Sequence, residues 1–115
     1  MQIEHNDLED GVRMIRLIGR LDLEGAEAID LKLTSLAAVR KGYVIVDLDG
    51  VEFMSSIGLS VIVRVARALL AREGRLVLLQ PRPNVADVLS RTQIDQVIPV
   101  CPDLDAARTA VFAGG

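Results

Sequence analysis

Apolar residues fall into two kinds of run along this chain. Tyr43-Val44-Ile45-Val46 is continuous, short and rich in β-branched residues, which fits a buried strand better than a helix. Arg75-Leu76-Val77-Leu78-Leu79 is a second such run, of the kind that buried parallel strands show. Gln2–Leu8 and Val12–Ile18 flank the turn signal Glu9-Asp10-Gly11, and an imperfect alternation through Val12, Met14, Ile15, Leu17 and Ile18 predicts a hairpin. The stretch from Gly19 to Gly25 then breaks that pattern.

Elsewhere the period is helical. Ala26, Ile29, Leu33, Leu36 and Ala37 fall on one side of a helix running from Ala26 to about Val39, with Glu27, Asp30 and Thr34 turned away. Leu31 lies nearly opposite the apolar stripe, and Arg40-Lys41-Gly42 supplies the cations and glycine of a helix end. A second helix, Gly58–Arg72, is apolar over most of its circumference, with Ser60, Arg64 and Arg67 in a narrow polar arc. Between Val46 and this helix the residues read as a tight polar connection. Pro81-Arg82-Pro83-Asn84 is a breaker with Asn84 as a candidate cap for a short helix over Val85–Arg91. A short edge strand is expected near Val97-Ile98, held at the edge by Pro99. A last helix starts from Cys101-Pro102-Asp103, with Leu104, Ala107 and Val111 inward and Arg108 outward. The order β-β-α-β-α-β-α-β-α predicts an α/β fold: a mixed sheet of about four to five strands covered by about four helices, in a single domain over residues 1–115.

Composition narrows the function more than the fold. Half of the 115 residues are hydrophobic, enough for a real core, and only 3% are aromatic, so that core is aliphatic. Few stacking rings and a net charge of −3 argue against a nucleic-acid partner. Cys101 stands alone, which excludes an internal disulfide or a zinc-type cysteine cluster and suits a reducing cytosol. Nothing resembles a leader, and no run approaches the ~20 apolar residues that cross a bilayer. A cytoplasmic protein without membrane insertion is expected.

The chemistry of an enzyme is missing. The only histidine, His5, falls in the first strand, and Ser55 and Ser56 have no evident activating base. The Gly58-x-Ser60 sequence lacks the second glycine of a nucleophile elbow, and no P-loop is present. Asp47 and Asp49 suggest a phospho-accepting aspartate or a magnesium site, but the only lysines, Lys32 and Lys41, belong to the first helix and its end, so a receiver-like site fails. No catalytic residue, cofactor or metal is expected.

What remains is the Ser55-Ser56 pair, which stands just before an apolar helical pattern, where hydroxyls cap. First-turn N–H groups are unpaired and the helix dipole is positive there, so added negative charge is tolerated. Two readings are open: both serines only cap, or one of them also accepts a phosphate.

The residues Val46-Asp47-Leu48, Val51-Glu52-Phe53-Met54-Ser55-Ser56-Ile57-Gly58-Leu59 and Val61-Ile62 resemble the signature of the STAS domain, found in bacterial anti-sigma-factor antagonists and in sulfate-transporter cytoplasmic regions. Gly19-Arg20-Leu21-Asp22 resembles the Gly-x-Leu-Asp turn of the same family, although Asp22 reads equally as a helix cap or turn closer. The resemblance covers nearly the whole chain and implies the STAS fold. It marks Ser56 for phosphorylation, with Ser55, where Asp is common, as second choice. It implies an anti-sigma-factor antagonist that binds a serine-kinase anti-sigma factor, is released when phosphorylated, and is reset by a serine phosphatase. Asp22, Ser55, Ser56, Gly58, Ser60 and Arg64 are the candidate partner-binding residues. The rival readings are a non-phosphorylated STAS subunit of a lipid-transporting ABC system and a stress-sensing scaffold.

Overall fold

The computed structural model describes residues 1–37 and 42–113. Strand β1 (Gln2–Asp7) pairs antiparallel with β2 (Val12–Leu21), which leads into helix α1 (Leu23–Ala37). Strand β3 (Tyr43–Met54) is followed by α2 (Ser56–Ala71), β4 (Arg75–Leu79), α3 (Pro83–Arg91), a 3-10 turn at Ile94–Gln96, β5 (Val100–Cys101) and α4 (Leu104–Phe112). The strands lie in the order β1-β2-β3-β4-β5, and every pair after the first is parallel. This is the expected mixed sheet, with five strands and four helices among the described residues.

Helices cover both faces, which is why β3 and β4 read as continuous apolar runs. On one face Val44, Val46, Leu48 and Leu78 pack with Ile29 and Leu33 of α1, Leu59, Ile62 and Leu69 of α2, and Leu89 of α3. On the other, Ile45, Val77 and Leu79 meet Ala107 and Val111 of α4. The Tyr43 and Phe112 rings close that side with centroids 4.9 Å apart.

Several boundaries differ from the sequence reading. Strand β3 does not stop at Val46 but continues to Met54. Its pairing with β2 shifts register after Arg16 and again after Gly19, each time spending an extra residue on β3, so its core positions run Val44, Val46, Leu48, Val51, Met54. Two bulges thus hide the period-2 pattern. Strand β2 likewise passes through Gly19, whose φ of +117° a side chain would resist, and ends at Leu21. The last strand lies at Val100–Cys101, not at Val97-Ile98. Pro99 has no N–H, so the ladder uses the carbonyls of Pro99 and Cys101, which accept from Leu78 and Gln80 at 2.9 Å. Cys101 therefore belongs to that strand, and α4 begins beyond it with Asp103 accepting from the Ala106 N–H at 2.8 Å.

Asn84 is not the cap of α3, which starts at Pro83; its side-chain amide instead donates to the Glu52 carbonyl at 2.8 Å and ties α3 to β3. Helix α1 starts at Leu23, three residues before the predicted Ala26. Its predicted end at Val39, Arg40 and Lys41 lies outside the described residues. Arg108 of α4 pairs with Asp10 of the β1–β2 turn at 2.8 Å.

Leu33 is fully buried on α1 while its neighbour Leu31 is 81% exposed. Leu33→Ala is therefore expected to cost about 2–5 kcal/mol and Leu31→Ala less than about 0.5 kcal/mol in urea unfolding. Similar losses would contradict this orientation of α1.

Candidate functional site

Strands β2 and β3 end side by side, with Leu21 opposite Met54. A single residue separates each from its helix: Asp22 before α1 and Ser55 before α2. Both helices therefore open at one edge of the sheet, and both are built the same way. Asp22 Oδ1 accepts the Gly25 N–H at 2.9 Å, and Ser55 Oγ accepts the Gly58 N–H at 3.0 Å. Each is a side-chain cap on the third residue of its helix.

The two glycines in these caps are required by close approach. A Cβ on Gly25 would lie 2.0 Å from the Arg20 carbonyl oxygen, and one on Gly58 would lie 2.0 Å from that of Leu21. Any side chain would push its helix off the end of β2. Ser55 adds a second tie, since its N–H donates to the Leu21 carbonyl at 3.0 Å and its hydroxyl donates to the same oxygen at 3.4 Å.

With Ser55 spent in this way, Ser56 is left as the first residue of α2, exposed. Its hydroxyl makes no hydrogen bond among the described residues. The first turn of α2 carries no acidic residue to neutralise its N–H groups. Along the same face, Ser60 Oγ donates back to the Ile57 carbonyl at 2.5 Å, and Arg64 reaches across to pair with Asp30 of α1. Ser56, Ser60, Arg64 and Arg67 line one open trough, walled on its other side by Thr92 and Ile94.

Residues 6–107 match the STAS domain. The chain belongs to the STAS-domain family. Bordetella bronchiseptica BtrV, designated an anti-sigma factor antagonist, is 30% identical over 104 residues, 90% of each chain. An anti-sigma F factor antagonist of Lysinibacillus sphaericus is 38% identical over 78 residues, 65% of each chain. The Bacillus cell fate determinant SpoIIAA superposes in its unphosphorylated form with a TM-score of 0.77 over 99% of both chains. Its phosphorylated form gives 0.70 over 95% of this chain and 99% of SpoIIAA. At 23% identity that likeness is one of fold.

In this STAS domain the six candidate residues separate into layers. Ser56, Ser60 and Arg64 share the trough, although Arg64 is held by Asp30 and not free. Gly58 is buried, so it provides clearance beneath the surface and does not form part of a contact face. Ser55 is the cap, half-buried. Asp22 lies outside the trough, capping α1 with its Oδ2 3.5 Å from Arg20 Nε. The helix-cap reading of Asp22 is thus the geometry observed. The Gly25 N–H is the main cause holding its carboxyl below the usual carboxylate range; partial burial opposes this and Arg20 adds to it.

Two features of the site are absent from the sequence reading. One is the Leu21 carbonyl, a backbone group with no residue-type signature. The signal for it was the repeated spacing of Asp22 with Gly25 and Ser55 with Gly58, a capping residue three positions before a glycine. The other is Arg20, whose guanidinium carbon sits 4.4 Å from the centroid of the Phe53 ring and partly covers that exposed aromatic.

Ser55→Ala is expected to cost about 1 kcal/mol as a lost cap, Gly58→Ala at least ~2 kcal/mol as an overpacked backbone contact, and Ser56→Ala less than about 0.5 kcal/mol. Denaturant titration orders the three, and a Ser56 loss equal to that of Ser55 would contradict the division of labour. Asp22 also gives a pH signature. Its folded pKa is depressed, so its contribution is present above the ordinary carboxylate value of about 3.9 and is lost as pH falls through the folded value. Asp22→Asn keeps an acceptor but cannot titrate, so below about pH 4 its stability declines less steeply than that of the wild type. Parallel curves would rule this out.

Proposed function

We propose that this STAS protein is an anti-sigma-factor antagonist that works by partner switching. It binds a serine-kinase anti-sigma factor through the surface around Ser56, is phosphorylated by that kinase at Ser56 and released, and is restored by a serine phosphatase. The observation that carries the reading is the contrast between adjacent serines: Ser55 Oγ is engaged by Gly58 and Leu21, whereas Ser56 is exposed and its hydroxyl is unengaged among the described residues. Its anti-sigma-factor-antagonist relatives and the likeness of its fold to SpoIIAA in both phosphorylation states support it.

In this reading the chain is a substrate and not a catalyst, because the kinase supplies the nucleotide and transfers its phosphate to the Ser56 hydroxyl. A phosphate there adds about −1.5 to −2 charges. At the first residue of α2 it meets unpaired N–H groups and the positive end of the dipole, so the helix persists. The cost falls on the partner instead. A packed interface over Ser56 would have to desolvate that charge, and the nearest arginine on this face of the helix, Arg64, is already paired with Asp30.

Ser56→Ala is expected to bind the kinase like the wild type and to resist phosphorylation. Ser56→Asp is expected to keep its helix content and melting temperature but to bind at least about tenfold more weakly, ~1.4 kcal/mol, by calorimetry. Binding of Ser56→Asp at wild-type affinity would contradict the switch.

A further inference from the structure

The trough at Ser56 does not end at Arg64. Through Val63, Arg67 and Ile94 it continues into an apolar groove between the second half of α2 and the segment before β5. Leu76 and Ile98, both buried, line the groove together with Leu70 and Val97, which are 61% and 70% exposed. Large apolar residues left open on one groove mark an interaction surface. Its volume of about 130 Å³ is close to that of an engineered protein cavity that binds benzene. It therefore takes one side chain the size of leucine or phenylalanine, and not a nucleotide or a long acyl chain.

Charge adds a second constraint. Arg13, Arg20, Arg64, Arg91 and Arg108 each pair with an aspartate. Arg67 and Arg75, which both line this groove, have no carboxylate partner among the described residues. On a chain of net charge −3 they form a local positive pole around an apolar slot. An extended peptide gains little here, because β5 is two residues long and Pro99, which lines the groove, offers no N–H. A helix satisfies its own backbone and presents an apolar side chain with carboxylates three or four residues away on the same face.

We propose that this groove docks an acidic amphipathic helix of a protein partner, with one apolar side chain seated beside Leu70 and Val97 and carboxylates meeting Arg67 and Arg75. Continuity with the Ser56 trough places this anchor within reach of a partner bound there. The anchor itself needs no phosphate, so it goes beyond the switch at Ser56.

The test is a ¹⁵N-HSQC titration of the full chain with a synthetic helical peptide of roughly 14 residues, about four turns, with leucines along one face flanked by glutamates. Shifts are expected at Val63, Leu70, Leu76, Val97 and Ile98. Affinity should fall at least about tenfold in the Arg67→Glu/Arg75→Glu variant and with added salt, and a Val97→Glu variant should also lose binding. A peptide with lysines in place of the glutamates should leave these signals unmoved. No shifts at these residues, equal binding of both peptides, or unchanged affinity in the folded double variant would overturn the proposal. Peptide-free signals that move with protein concentration, with a doubled mass by light scattering, would give the groove to a second copy and overturn it too. Because the titration contains neither kinase nor phosphate, its failure leaves the Ser56 reading standing, and an unmodified Ser56 leaves this one standing.

Discussion

The carbonyl of Leu21 is the point on which the rest of the site depends. It ends β2, accepts the Ser55 N–H at 3.0 Å, receives the Ser55 hydroxyl at 3.4 Å and lies where any Gly58 side chain would have to go. Two parallel strands stop together here, and two helices start after a single intervening residue. Strand-end carbonyls need donors and first-turn N–H groups need acceptors. A serine hydroxyl meets both needs at once, because it can donate to Leu21 and accept from Gly58. A carboxylate can only accept. Asp22 meets the simpler demand at α1, where one oxygen takes the Gly25 N–H and the other faces Arg20.

This constraint separates two chemically identical neighbours. Ser55 is committed to holding α2 on β2, so altering its oxygen would disturb the junction. Ser56, one residue on, carries no structural duty that the geometry reveals, and it sits where the helix tolerates negative charge. A site that can be modified without unfolding the domain that carries it is what a reversible switch needs: the fold stays the same while the surface potential changes. Arg64 is held by Asp30, Ser60 bonds back to Ile57, and the cations on α2 and β4 that have no carboxylate partner among the described residues lie further along, at Arg67 and Arg75.

Much of this was legible in the chain itself. The apolar runs at Tyr43–Val46 and Arg75–Leu79 and the stripe through Ile29 and Leu33 placed the sheet and its cover, because burial on two faces or one leaves different periods. The signature around Ser55-Ser56 pointed to the family. Hidden features depended on backbone geometry. Two bulges broke the alternation that would have carried β3 on to Met54, and Pro99 moved the last strand three residues later by lacking a donor. The pairing of Arg64 with Asp30 joins two helices, and helical spacing within one of them cannot show it.

The most direct test of the central claim is tandem mass spectrometry of the tryptic peptide Gly42–Arg64, which contains Ser55, Ser56 and Ser60, after the protein has been isolated from its own cells. Fragment ions are expected to place a phosphate on Ser56 and none on Ser55. A phosphate on Ser55 with Ser56 unmodified would contradict the claim, because the oxygen that holds α2 to Leu21 would then be the one that is modified.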